Sequence, residues 1–266
     1  MSKLTNIAQD YYDCLVGLKE NSSSAGITYL AVRFDVEQGS SEFWRVIAAI
    51  NERVHRLKLA VESLNVPAST KARIVNSIVL TSNAFSMGGL QNPWELVNRE
   101  YLKEDCLDTI AMIASSFSYE MAYEVPDGDE LDEFRAEVET LLQWLGEHEF
   151  QEHDIIRAAL IEGLKKFLFD IKYVNFVGWL APIGDFKQII VAYKALENLE
   201  LDADVNNVAK AAAVKVKSLV VDTYNKIKLA KDVTAVARWT LDIYGGAHLY
   251  LSHAPEVSGY LSHLAK

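Results

Sequence analysis

Phe43, Ile47, Ile50, Val54, Leu57, Val61 and Leu64 recur at alternating spacings of four and three, a helical period held for about three heptads. A stripe that narrow suits packing against a neighbouring helix, and the rest of the chain supplies helices to pack. Leu4, Ile7, Tyr11, Cys14 and Leu18 step by threes and fours, as do Leu107, Ile110, Ala114, Phe117 and Met121. Further stripes run through Leu131, Phe134, Val138, Leu141 and Leu145, then Ile156, Leu160, Leu164, Phe167 and Ile171, then Phe186, Ile189, Tyr193 and Leu196. Ala209, Ala212, Val216 and Leu219 open a face of small residues that continues toward Ala230, and Val233, Val236, Thr240 and Ile243 follow it. The pattern predicts an all-α, multi-helix bundle of roughly nine or ten helices with little or no sheet. One segment is ambiguous. Residues 27–36 (ITYLAVRFDV) are rich in β-branched and aromatic side chains, yet they place Ile27, Leu30, Ala31 and Phe34 at helical spacing. With no convincing strand to pair with, the segment is expected to be helix.

Turn-forming residues punctuate the stripes. Val66-Pro67 should end the long helix, with Ser69 capping the next, which carries Ile74, Ile78 and Phe85. Met87-Gly88-Gly89 is expected to terminate that helix, and Asn92-Pro93 to start another as N-cap and first-turn proline. Pro126-Asp127-Gly128 is the clearest break, and Asp127 followed by Glu130 resembles a capping box with Asp in place of Ser or Thr. It suggests two helical halves, residues 1–125 and 126–266, or one continuous domain. Residues 177–184, with Trp179 and Pro182, are expected as an unusually apolar loop. Trp179 should therefore be buried in the core or against another chain.

With 50% hydrophobic residues among 266, there is ample material for a large core. Cys14 and Cys106 are too few for a disulfide framework and fall within or next to apolar stripes. Asp10 and Asp13 interrupt any signal-peptide core, and the longest uncharged stretch, residues 74–94, is too polar to span a bilayer. A cytoplasmic protein with no membrane segment is expected.

Charge is unevenly placed. Residues 119–154 hold thirteen acids and one base, Arg135, so the segment carries −12 of a net −11 and the remainder is +1. Between residues 208 and 240 the bias reverses, with Lys210, Lys215, Lys217, Lys226, Lys228, Lys231 and Arg238 against Asp222 and Asp232. An acidic run most often keeps a helix solvated and complements its N-terminus. It could also pair internally with the late lysines. As a third reading it docks another protein, a basic one by complementarity, with Glu133, Glu137 and Glu139 at the contact. The overall acidity disfavours direct nucleic-acid binding.

The dinucleotide, P-loop and nucleophile-elbow signatures do not occur in the chain. Glu52-Arg53-Val54-His55 is a single copy of the Glu-x-x-His motif that helical di-iron proteins need twice. In the run from Glu147 to Asp154, a helix would set His148 opposite Glu152 and Glu149 opposite His153, a spacing that can hold one metal ion. His153-Asp154 resembles the dipeptide of the HD phosphohydrolases, a helical, metal-dependent family. That resemblance covers two residues and implies a further upstream His and downstream Asp, for which His55 and Asp170 are candidates. The reading preferred from sequence is a non-enzymatic protein-interaction protein, an inhibitor, adaptor or assembly subunit without cofactor. Its contact residues would be the three glutamates and Trp179. The alternative is a metal-dependent phosphohydrolase using His153 and Asp154, with His148 and Glu152 as further metal ligands.

Overall fold

The computed structural model describes residues 3–117, 123–150, 154–200 and 207–226. Among them are twelve α-helices and two three-residue strands, so the chain is an all-α multi-helix bundle. In chain order these are β1 (Lys3–Thr5), α1 (Ile7–Gly17), α2 (Gly26–Phe34), α3 (Ser41–Ser63), α4 (Ala68–Ser82), α5 (Met87–Gln91), α6 (Trp94–Tyr101) and α7 (Glu104–Ala114). Then follow β2 (Tyr123–Val125), α8 (Gly128–Glu147), α9 (Asp154–Lys172), α10 (Val174–Val177), α11 (Leu180–Glu200) and α12 (Asn207–Lys226). Every residue of the long stripe is buried, Phe43 to Val61 on α3 and Leu64 just past its end. The ambiguous segment is α2, a helix.

Several local expectations need correcting. β1 and β2 pair antiparallel, with Leu4 opposite Glu124, so Leu4 belongs to a strand and not to the first helical stripe. Helix α4 begins at Ala68, which puts Ser69 inside its first turn and leaves capping to the Pro67 backbone. Met87-Gly88-Gly89 does not end a helix but starts the short α5, capped by the Ser86 hydroxyl. The glycines serve close approach: a Cβ on Gly89 would lie 2.4 Å from the Ala84 carbonyl oxygen, and one on Gly26 would lie 2.4 Å from that of Gly89. Pro93 precedes α6, with Asn92 closing α5. The expected apolar loop is mostly helix, since only Gly178 and Trp179 separate α10 from α11. Pro182 sits in the first turn of α11, where its missing N–H costs nothing. The capping box holds, with Asp127 Oδ1 accepting from Glu130 N at 3.1 Å and Glu130 Oε2 from Asp127 N at 3.0 Å.

Buried side chains form two clusters. One draws on residues 7–117 and takes Tyr173, Val177 and Ala181 from the second half. The other spans residues 123–220, and Leu180 packs against both. A buried polar node sits where they meet. Arg53, 4% exposed on α3, donates from Nη1 to the Phe176 carbonyl oxygen at 2.6 Å. Its Nη2 lies 3.2 Å from Asp10 Oδ2 on α1, close enough for an ion pair but without the alignment of a hydrogen bond. The same Asp10 oxygen accepts from the Tyr123 hydroxyl at 3.0 Å and from the Trp179 backbone N–H at 3.3 Å. Burial and the Asp10 carboxylate push the Tyr123 phenol well above its ordinary pKa, so it stays a donor. One carboxylate thereby gathers α1, α3, β2 and the turn into α11.

Gly178 makes that turn possible. Its φ is +81°, and a Cβ there would stand 2.9 Å from both Arg53 Nε and Asp10 Oδ2. Trp179 follows, 1% exposed, with its indole N–H buried and unpaired.

Two outcomes follow for equilibrium unfolding in urea. Arg53→Ala leaves Asp10 without its counter-charge and should cost about 3–5 kcal/mol, and Gly178→Ala should also destabilise through strain and crowding at the same place. A midpoint matching wild type for either variant would show the node to be energetically idle. Trp179→Ala should cost about 3–5 kcal/mol as a large cavity, whereas Trp179→Phe should cost much less, because it also removes an unpaired buried donor. Equal losses for the two would contradict this.

Candidate docking face

Helix α8 owes its polarity to its sequence. Phe134, Val138, Leu141 and Leu145 fall on one stripe and are buried, and α8 packs on both α9 and α12. Its first turn carries Asp129 and Glu130, where the unsatisfied N–H groups favour negative charge. The outward side exposes Asp129, Asp132, Glu133, Glu137, Glu139 and Glu147. The single base of the helix, Arg135, is bonded to Asp132 at 2.8 Å. At 100° per residue, Glu133 and Glu137 share one flank while Glu139 lies near Asp132 on the far side. The three glutamates named from sequence are thus all exposed, along two rows of one helix.

Beside the first row runs a groove of about 400 Å³ between α8 and α12, lined by Glu137, Thr140, Leu141, Lys215, Ser218 and Leu219 among others. The lysine-bearing helix therefore faces the acidic one. Lys215 Nζ also lies 5.5 Å from the centre of the Trp144 ring. At the end of α8, Trp144 stacks on His148 with centroids 4.3 Å apart, and His148 Nδ1 is 2.8 Å from the Trp144 carbonyl oxygen.

The residues of the metal hypothesis are not assembled by what is described. Glu152 and His153 lie outside the described residues. Asp154 opens α9 and is held by Arg157, with Oδ1 accepting from Nε at 2.5 Å and Oδ2 from Nη2 at 2.9 Å. Those bonds hold its carboxyl below the ordinary carboxylate range, and Oδ1 also accepts from Phe150 N at 3.3 Å. Arg157 Nη1 reaches the Leu145 carbonyl oxygen at 2.9 Å, so Asp154 and Arg157 together brace the end of α8 against the start of α9. Glu52 and His55 are exposed on α3, and Glu52 pairs with Arg56 at 3.2 Å. Among the described residues no three His, Cys, Asp or Glu side chains are grouped to hold a metal ion.

Trp179, named from sequence as a contact residue, is enclosed by the chain itself and offers no surface to a partner. Trp94 is likewise buried, while Trp44 is 38% exposed.

One pair escaped the sequence reading as a pair. Asp170 on α9 is 7% exposed, with Asp185 of α11 as its acidic neighbour. Burial first, and then Asp185, push Asp170 up to about 7. Its signal in the sequence was a charge one residue before Ile171 and three after Phe167, on the buried side of the α9 stripe. Asp185 carried no such signal.

No helix among the described residues is long and apolar enough to cross a membrane. Comparison with family models, with curated proteins and with solved structures finds no match for this chain.

Proposed function

We propose that this chain is a non-enzymatic protein-interaction protein, an inhibitor, adaptor or assembly subunit, whose exposed acidic side of α8 docks a basic partner. The observation that carries the reading is the concentration of seven acids against one base on a single helix, with that base already bonded to one of them. Such a surface sets up a one-signed field that speeds encounter with a cationic surface and rejects an anionic one. The competing phosphohydrolase reading has less behind it, because both oxygens of Asp154 are committed to Arg157.

The test is a charge reversal, Glu133→Lys with Glu137→Lys and Glu139→Lys. It spares the Asp127–Glu130 cap and the Asp132–Arg135 pair. Proteins recovered on the wild-type chain from extracts of its native host should be lost on the variant. The wild-type interaction should also weaken as salt rises past the point where screening acts within about 8 Å. Unfolding free energy should change by no more than about 0.5 kcal/mol. Recovery of the same partners by the variant would overturn the docking proposal. A loss of stability restored by Lys215→Glu would instead assign the acids to the groove shared with α12.

A further inference from the structure

The groove between α8 and α12 differs in chemistry from floor to rim. Its floor is apolar, with Leu141 of α8 and Leu219 of α12 both buried beneath it. Its shoulders are small and exposed: Ala136 and Thr140 on α8, Ser218 on α12. Thr140 commits its hydroxyl to the Ala136 carbonyl oxygen at 2.7 Å. Val214, four residues before Ser218 and so on the same side of α12, is 66% exposed. The two walls carry opposite charge. On α8, Glu133 and Glu137 stand exposed one turn apart in a single row. On α12 the charge is Lys215, whose Nζ lies 5.5 Å from the centre of the Trp144 ring.

These features narrow what can fill the groove. At about 400 Å³ it admits a few apolar side chains and no whole element. The backbone groups of α8 and α12 are used within the helices, so an incoming strand finds no ladder to join. A helix needs none. Its apolar side chains at i, i+3, i+4 and i+7 form a stripe that can lie along a floor running with the two helix axes. Small shoulders let its backbone come close. Lysines or arginines one turn apart beside that stripe match the one-turn spacing of Glu133 and Glu137.

We propose that the α8–α12 groove receives an amphipathic helix of another protein, its apolar side on the floor and its basic flank on Glu133 and Glu137. This rests on the docking reading of α8 above, and adds to it the form of the partner and the floor on which it sits.

The probe is a synthetic peptide of roughly 18 residues, about five turns, with leucines on one face and lysines along one flank. It is titrated into the full chain by fluorescence anisotropy. Its control has the same composition in an order that spreads the leucines around the helix. The ordered peptide should bind and gain helicity, and the reordered one should bind at least about tenfold more weakly. Ser218→Trp and Ala136→Trp fill the groove from opposite sides without touching the acids. Each should weaken binding by a similar factor, as should Glu133→Lys with Glu137→Lys, at melting temperatures that show each variant folded.

Failure to bind the ordered peptide, or equal binding of the two peptides, would overturn the proposal. Loss on charge reversal with no effect of either tryptophan would overturn the groove and leave the acidic docking face standing. Loss with the tryptophans and none on charge reversal would overturn the basic flank, and the docking face with it. Binding that appears only when Lys228, Lys231 and Arg238 are changed to Glu would give the groove to the chain's own segment. A dimer in sedimentation that Ser218→Trp dissolves would give it to a second copy. Either of these also overturns the proposal.

Discussion

A single half-buried carboxylate, Asp10, organises the meeting of the two buried clusters of this chain. It faces Arg53 at 3.2 Å, accepts the Tyr123 hydroxyl at 3.0 Å and receives the Trp179 backbone N–H at 3.3 Å. Withdrawing most of such a charge from water is unfavourable unless its neighbours are committed to it. The geometry around it accordingly tolerates little else: Gly178 must be glycine, Arg53 must reach Phe176, and β2 must deliver Tyr123 to the same point. Burial of a polar node at a helix junction adds little net energy compared with apolar packing. What it does add is register, because only one mutual position of α1, α3 and the turn into α11 satisfies it.

Away from that node the electrostatics are arranged by layer. Helix α3 turns Glu42, Arg45, Arg53 and Arg56 toward the second half, where Glu42 accepts from Lys172 at 3.0 Å and from the Tyr173 hydroxyl at 2.6 Å. Those two bonds hold the Glu42 carboxyl below its ordinary range. On the opposite side of the second half, α8 keeps its acids in water and meets α12, with Lys215 in the shared groove. The inner charges join elements, while the acids of α8 lie on its exposed side, beside the groove that α8 shares with α12.

Periodicity made the helices legible because each stripe is a local property of the chain. Phe43 to Leu64 and Phe134 to Leu145 are buried as their spacing predicts. The Asp127–Glu130 cap was equally legible, since both partners lie within four residues. What escaped depends on contacts distant in sequence. Lys3–Thr5 is a strand only because Tyr123–Val125 lies beside it. The Gly88-Gly89 pair looks like a helix end until Gly26 is found against it. The sequence leaves Trp179 either in the core or against another chain, and only its packing within the second cluster decides for the core. Asp170 could have been suspected from its place on an apolar stripe, but its acidic neighbour, fifteen positions on in another helix, could not.

Coupling of the two buried clusters through the Asp10–Arg53 node is best tested by site-resolved amide hydrogen exchange in rising, sub-denaturing urea. Mid-helix amides of α3 and of α9 should converge on one common opening free energy, because neither cluster keeps its packing once the node is broken. Amides of α9 and α11 exchanging through a lower-energy opening that leaves α3 protected would contradict that coupling and divide the chain into two independently stable halves.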